Sequence, residues 1–436
     1  MRRIRFVLLT LLFITSFGVI AQTKASVSLN DILQKVESNN HSIKISEQDY
    51  KAAKAEFSQT NSILLPSVSV SHTGISTNNP LMAFGSKLNQ EILTQTDFNP
   101  ELLNNPETVD NFSTKIELKQ PLLNADGIFI RKAAKAKKNA MKLQFSRTKE
   151  AIKLEVAKAY MQLQLAYKSV HVLEKAQEAA LTNKKIADKN YELGYMIISD
   201  VLSVEIYVTE VQNQLLNAKS NVKNASDYVK FLMGESSTVI LKPLEELSID
   251  LDLNIYNNKI SSARADIKAL EKSTNAYKNM HQASKMSYLP RLNAFGSYEL
   301  YDNSAFKGNA DGYIIGAQLS WNLFDGFKRV GKTQKAKAEF EKAQINLEQY
   351  KNQSQLKFNQ EKRKLKDAEN TLKLTKLAVE QSKEALRIRT NRFTQGLEKS
   401  SDLLISEAQY LQKELTYLQT VYNYNYTKKT VEFLTK

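Results

Sequence analysis

The sequence predicts a mainly α-helical protein with a membrane β-barrel portion, organised as two copies of one structural repeat. Three observations predict this fold class. A short motif typical of a helical turn occurs twice, very long heptad patterns flank both copies, and stretches of alternating apolar residues stand at matching places in each half. Internal duplication constrains the architecture, because each copy is expected to form the same supersecondary unit.

The duplicated motif covers residues 191–205 and returns at residues 393–407, 202 residues later. Each copy has a glycine where one helical pattern ends, a position that favours a left-handed residue. Each copy also has an aspartate where the next pattern begins, which predicts a helix cap and a favourable interaction with the helix dipole. The motif therefore predicts two helix–turn–helix tips, at 194–200 and 396–402. Their key residues are Gly194, Asp200, Gly396 and Asp402.

Heptad patterns of unusual length surround both tips. The helix before the first tip is expected at about residues 129–193, which spans roughly 95 Å at 1.5 Å per residue. Its seam contains apolar and small residues four and three apart, the pattern of a helical hairpin core. The seam residues are Ile152, Val156, Ala159, Leu163, Ala166, Val170 and Leu173. An earlier helix, capped by Ser28 or Asn30, is predicted to carry one heptad seam from Ile32 to Phe57 and to end at Leu65-Pro66.

Two β-hairpins are predicted where the apolar period changes from 3.5 to 2. Pro66 and Pro290 mark the start of these regions, at about 66–123 and 290–324. The strands have about ten residues, one apolar face and aromatic residues near their ends, which suits a membrane β-barrel. A half-buried soluble hairpin is the alternative. The first hairpin has a long loop at 74–111 and the second a short one at 302–311.

The chain divides into a leader and two repeats. Residues 1–21 combine three arginines, an apolar run and a small-residue cleavage site, as expected for a secretory signal peptide. The first repeat is assigned to 22–255, ending in a linker at 234–255, and the second to 256–436. The sequence contains no cysteine, so we expect neither disulfides nor an acylated cysteine.

The composition and motifs argue against nucleic-acid binding and catalysis. The net charge is +15, but lysines are mixed with glutamate and glutamine along helical faces and are not clustered with aromatic residues. There is no Gly-rich phosphate loop, nucleophile elbow or Cys/His metal spacing, and the four histidines are scattered. We therefore predict no enzyme activity, no cofactor and no bound metal.

The predicted strands imply an assembly of several chains. Four strands cannot close a barrel around a lumen, and a barrel in lipid cannot leave open strand edges. Three chains that share their strands would supply twelve, enough for an open pore. The partners expected on this basis are two further copies of the chain and membrane lipid.

The order and spacing of several motifs resemble the TolC family of outer-membrane efflux and secretion channels, over essentially the whole mature chain. No single motif is specific for this family, but the order in which the motifs recur in both halves of the chain is. The motifs are Leu64-Leu65-Pro66, Tyr288-Leu289-Pro290, Gln120-Pro121-Leu122-Leu123, Trp321-Asn322-Leu323-Phe324-Asp325-Gly326 and the two tips.

The resemblance implies a passive homotrimeric conduit in the outer membrane. A twelve-stranded β-barrel would continue as a periplasmic α-helical barrel, which docks a periplasmic adaptor and an inner-membrane efflux or secretion transporter. It also implies roles for residues of the tips. Asp402 stands at the family's constricting acidic ring and Asp200 at its cross-helix partner, whereas the turn and adaptor-docking positions are Gly194, Ser199, Leu202, Gly396, Ser401 and Leu404.

Two tip residues depart from the pattern of some family members. Glu398 replaces a basic residue and Ile405 replaces a second acid, so the salt bridges of those members cannot form here. Arg392 or Lys399 remains as a substitute partner for the aspartates. Other interpretations of the whole chain are a structural periplasmic coiled coil and an adaptor without a pore. Neither accounts for two hairpins with duplicated tips and alternating strands.

Overall fold

The computed structural model describes residues 24–249 and 259–436, so the predicted signal peptide and residues 250–255 of the predicted linker lie outside it. The strands are β1 (Lys24–Val27), β2 (Ser67–Thr77), β3 (Val109–Leu123), β4 (Ile240–Pro243), β5 (Arg291–Asp302) and β6 (Ala310–Ser320). The helices are α1 (Leu29–Asn39), α2 (His41–Gln59), α3 (Pro80–Asn89), α4 (Pro100–Asn104), α5 (Ala125–Glu192), α6 (Ile198–Met233), α7 (Ala265–Met286), α8 (Lys328–Thr394) and α9 (Ser400–Thr435).

The first predicted helix is wrong in one respect, because it is broken at Asn40. Ser28 does cap α1, in a capping box with Asp31. Asn40 is extended, at ψ 128°, and its buried side-chain amide donates to the carbonyl oxygen of Leu232 at 2.8 Å. The same side chain accepts from the backbone N–H of Ser42 and so caps α2. The tertiary contact at Asn40 therefore ends one helix and starts another.

The long helices form two hairpins of nearly equal length. α5 has 68 residues and α6 has 36, and α8 has 67 residues and α9 has 36. α5 is therefore about 100 Å long at 1.5 Å per residue. Six of the seven predicted seam residues of α5, among them Val156 and Leu163, are buried, and Val170 is half-buried; Val211 on α6 is buried as well.

The chain forms two compact units, each drawn from both halves of the sequence. One combines residues up to 47 with 145–264 and 352–436; the other combines 48–144 and 265–351. The first unit has three apolar clusters. They centre on Ile32 and Leu163, on Val208 and Leu411, and on Phe358 and Val431.

The predicted linker contains a strand that closes the first apolar cluster. β4 pairs in parallel with β1, with Ala25 opposite Leu241. The hydroxyl of Tyr160 donates to the carbonyl oxygen of Val27 at 3.2 Å, and the hydroxyl of Tyr167 donates to that of Leu241 at 3.1 Å. Tyrosines of α5 therefore satisfy carbonyl groups on the small sheet.

The second unit contains a four-stranded antiparallel sheet in the order β2-β3-β5-β6. One face carries an apolar row formed by Val68, Leu118, Gly296 and Ile315. The opposite face carries a polar row of Ser71, Lys115, Glu299 and Gly312, in which Lys115 and Glu299 form an ion pair of 3.0 Å. The sheet is thus amphipathic, as the alternation predicted.

The long loop of the first β-hairpin is shorter and more ordered than predicted. β2 extends to Thr77 and β3 begins at Val109, so the connection is 78–108. It folds into α3, a 3-10 turn at Gln95–Phe98 and α4. Asparagines cap both helices directly before their prolines, which pre-set the first helical turn. Asn79-Pro80 and Asn99-Pro100 are therefore helix starts inside the loop, whereas Asn105, which also precedes a proline, ends α4.

Candidate functional site

At the first tip, α5 ends with two nested backbone hydrogen bonds. Gly194 has φ +77° and donates its N–H to the carbonyl oxygen of Tyr191 at 3.0 Å. Tyr195 donates to the carbonyl oxygen of Asn190 at 2.8 Å. This pair of bonds is a Schellman motif, which requires the left-handed residue that glycine supplies.

The second tip repeats the same motif. Gly396 has φ +74° and donates to the carbonyl oxygen of Phe393 at 3.0 Å, and Leu397 donates to that of Arg392 at 2.9 Å. The left-handed glycine expected at the end of each hairpin's first helix is confirmed in both tips. The duplication therefore extends to individual hydrogen bonds.

Because Gly396 is left-handed, replacing it with alanine should lower stability by about 1 kcal/mol. Nothing lies within 4 Å of an added Cβ, so the cost is conformational. The control is Gly331→Ala in α8, where the site is equally open and φ is not left-handed; it should stabilise the helix by about 0.5–1 kcal/mol. Thermal melting followed by the helical circular dichroism signal distinguishes them. Melting shifts of equal sign would contradict this assignment.

The predicted caps at the aspartates are wrong. The residues that precede α6 and α9 are Ile197 and Lys399, and neither makes a side-chain cap hydrogen bond. Asp200 and Asp402 each occupy the third helical position, half-buried in the first turn. A carboxylate in the first turn interacts favourably with the positive end of the helix dipole. Because neither carboxylate caps its helix, both side chains are available for another role, and they stand at the same position in the two tips.

The second tip is held by an ion cluster centred on Glu398. Arg389 donates to one carboxylate oxygen of Glu398 at 2.6 Å, and Arg392 donates to the other at 2.7 Å. Arg392 also donates to the carbonyl oxygen of Leu397 at 3.2 Å. Arg392 is thus committed to Glu398, and among the described residues neither Asp200 nor Asp402 has an ion pair.

The two tips differ in the side chains that they expose. Around the first tip, apolar side chains reach the surface; they are Leu193, Tyr195, Ile197, Ile198, Leu202 and Ile206. At the second tip Leu404 packs against the apolar cluster of the first hairpin, whereas its counterpart Leu202 is 49% exposed. Of the other predicted docking residues, Gly194, Ser199, Gly396 and Ser401 are exposed. Equivalent positions of the repeat therefore have different surroundings.

Sequence reasoning missed a polar contact that links the two hairpins close to the tips. The side-chain amide of Asn183, on α5, donates to the carboxylate of Glu407, on α9, and both residues are buried. Glu407 is the last residue of the duplicated motif, and its counterpart is Glu205. The recurrence of glutamate at this motif position is visible in the sequence and marks both residues as candidates, but it does not show which of the two is buried.

The two prolines predicted to start the strand regions lie directly before them. Pro66 immediately precedes β2 and Pro290 immediately precedes β5. A proline in the position before a strand does not interrupt the hydrogen-bonded ladder. Each is therefore a boundary between helix and sheet in its repeat.

Neither a metal site nor an apolar membrane helix is found in the described part of the chain. Residues 24–249 and 259–436 contain no group of three or more His, Cys, Asp or Glu side chains suited to hold a metal ion. In the same ranges, no helix combines the length and apolarity needed to cross a membrane.

Two long helical hairpins with duplicated tips, joined to an amphipathic four-stranded sheet, define an architecture typical of outer-membrane channels. The sequence profile described as "Outer membrane efflux protein" matches residues 32–235 and 258–435. The chain belongs to this family, whose members are passive outer-membrane channels and not enzymes. A search of curated proteins gives no significant match.

Solved structures agree with the family assignment. The Campylobacter jejuni CmeC outer membrane channel superposes with a TM-score of 0.78 at 17% identity, covering 96% of this chain and 90% of that one. The outer membrane protein VceC of Vibrio cholerae gives 0.79 at 16% identity, covering 93% and 95%. A membrane protein from Pseudomonas aeruginosa gives 0.81 at 15% identity, covering 94% and 93%. At these identities the likeness shows the shared fold.

Proposed function

We propose that three copies of this chain form a closed twelve-stranded barrel in the outer membrane and a conduit that extends into the periplasm. The observation that carries the proposal is the sheet order. β2 and β6 are the two edges of the sheet, each paired on one side within the chain. An unpaired edge is unstable in lipid, and joining β6 of one chain to β2 of the next removes every edge.

The two faces of the sheet support this arrangement. The apolar face exposes Val68, Val70, Tyr313, Ile315 and Leu319 in the single chain. The opposite face carries the Lys115–Glu299 and Lys119–Glu117 ion pairs. In a closed barrel the apolar face contacts lipid and the charged face lines the water-filled lumen. A periplasmic coiled coil or an adaptor without a pore gives no reason for a large exposed apolar sheet.

Native mass measurement in mild detergent tests the assembly. We expect a complex of three chains, each beginning near Gln22, because we also propose that residues 1–21 are removed as a signal peptide during export. We also propose that no lipid is attached through cysteine, since the sequence has none. A stable monomer without bound detergent would contradict the barrel.

We place the periplasmic aperture of this conduit at the two tips. A threefold axis would gather Asp200 and Asp402 of three chains into six carboxylates, and neither residue is neutralised by an ion pair within the described chain. Clustered carboxylates attract cations and form a hydrated constriction. The tips are also the proposed docking surface for a periplasmic adaptor, which connects the conduit to an inner-membrane efflux or secretion transporter. This surface consists of the exposed apolar side chains of the first tip together with Gly194, Ser199, Leu202, Gly396, Ser401 and Leu404.

A further inference from the structure

The contact between Asn183 and Glu407 has an incomplete set of hydrogen bonds. Glu407 is 7% exposed, and one of its carboxylate oxygens accepts from the side-chain amide of Asn183. The other oxygen, Oε2, is buried and has no hydrogen-bond partner among residues 24–249 and 259–436. A buried carboxylate with one neutral donor and one unsatisfied oxygen is costly when it is ionised.

The surroundings of Glu407 are apolar and belong to both hairpins. Leu404 and Leu411 stand one turn on either side of it on α9. Leu411 belongs to the apolar cluster that also contains Val208 of α6 and Ala180 of α5, and Leu404 packs against that cluster. Burial raises the pKa of Glu407 from 4.5 to about 7, although the bond from Asn183 opposes that rise. This carboxyl group therefore changes charge near neutral pH.

The other titratable groups at this contact do not neutralise Glu407. Lys184, next to Asn183, pairs with Asp188 at 3.0 Å and with Glu205 at 3.3 Å. On α6, Tyr207 is buried, and its pKa is raised first by burial and then by the charges of Glu407 and Glu210. On α9 itself, burial raises the pKa of Tyr410, and Glu414 adds to the rise. Lys184, the cation among these groups, is thus paired with carboxylates other than that of Glu407.

The duplicated motif supplies a natural comparison. Glu205 occupies the same motif position in the first tip, is exposed, and forms its ion pair with Lys184 inside the first hairpin. Glu407 is buried and reaches across to that hairpin. The second hairpin has Ala385 and Leu386 at the positions equivalent to Asn183 and Lys184. Only one copy therefore combines burial with a contact between hairpins.

We propose that Glu407 and Asn183 form a proton-controlled latch, which holds α9 against the first hairpin while Glu407 is neutral and weakens when Glu407 ionises. Glu407 follows the proposed aperture residue Asp402 by five residues, or about 7.5 Å along the helix. Release of the latch frees the segment of α9 that carries Asp402. The consequence for conductance rests on the proposed channel function, whereas the contact itself does not.

The direction of the pH effect follows from the raised pKa. Packing stabilises the neutral form, so the latch is fully effective below pH 4.5, the ordinary value, and is lost as the pH rises through about 7. Between pH 6 and pH 8 the ratio of latched to released chains should fall roughly tenfold per chain.

Hydrogen–deuterium exchange and single-channel recording test the latch at pH 6 and pH 8. In the intact wild-type assembly, peptides covering residues 400–411 should exchange faster at pH 8 after correction for the intrinsic pH dependence of exchange, and open probability should rise. Glu407→Gln keeps the shape of the side chain and cannot ionise, so both measurements should stay near their pH 6 values. Glu205→Gln, at the equivalent exposed position, should retain the wild-type response.

Two results would overturn the latch: a Glu407→Gln protein with the same pH response as wild type, or a Glu205→Gln protein that loses it. Exchange at 400–411 is measurable whether or not the protein conducts. A normal pH response in exchange without any channel current would therefore reject the proposed conduit and leave the latch intact. The reverse combination, normal conductance with no pH response in exchange, would reject the latch alone.

Discussion

Replacing Ile315 with lysine should abolish assembly in the outer membrane, while the same replacement at the adjacent Ile314 should be tolerated. Both isoleucines lie in the middle of β6 and both are exposed in the single chain, at 80% and 56% respectively. They lie on opposite faces of the four-stranded sheet. Ile315 belongs to the apolar row with Val68 and Leu118, and Ile314 is aligned with Glu117 on the polar face.

The expected size of this effect comes from the cost of a charge in lipid. A lysine on the lipid face of a barrel costs about 2–4 kcal/mol near the bilayer midplane, so three copies in the proposed trimer cost about 6–12 kcal/mol. That is comparable to the whole stability of a folded domain. At Ile314 the lysine would face the proposed hydrated lumen, on the same side of the sheet as Lys115 and Lys119.

Fractionation of membranes, followed by a heat-modifiability assay for the trimer, measures the outcome. Ile315→Lys should be lost from the outer-membrane fraction or degraded, and Ile314→Lys should be present near the wild-type amount. Equal recovery of the two variants would show that the apolar face does not meet lipid. Loss of Ile314→Lys alone would assign the two faces the other way round.

Removing both tip carboxylates, by Asp200→Ala with Asp402→Ala, should increase single-channel conductance and weaken block by multivalent cations from the periplasmic side. In the proposed trimer, six negative charges at one constriction would attract such cations, and neutral alanines would not. Since neither aspartate is a helix cap, the loss of stability is limited to the dipole interaction, about 0.3–1 kcal/mol per residue. The conductance effect should therefore appear in a protein that remains folded.

The control for this variant removes the same charge elsewhere. Asp49, on α2, and Asp367, on α8, are both exposed and are remote from the tips in sequence. Asp49→Ala with Asp367→Ala should leave conductance and cation block unchanged. If the tip variant instead melts at a lower temperature with unchanged conductance and block, these aspartates would have a structural role only.

The periodic features of the protein can be predicted from the amino-acid sequence alone. The heptad seam of the first hairpin, the alternation in four strands and the two left-handed glycines depend on each residue and its near neighbours. The structure confirms them, down to the same Schellman hydrogen bonds in both tips. These features are readable because helix and strand periods place side chains on a face irrespective of what that face later meets.

Features that depend on residues distant in sequence are seen only in the folded chain. Asn40 breaks a predicted helix because its side chain meets Leu232, 192 residues away in sequence. The arginine left open as a partner for the aspartates, Arg392, is taken by Glu398 across the tip turn. Glu407 and Glu205 share one motif position, yet only Glu407 is buried, because α9 packs on the first hairpin there. Burial and charge pairing depend on which helices meet, and local periodicity contains no information about that.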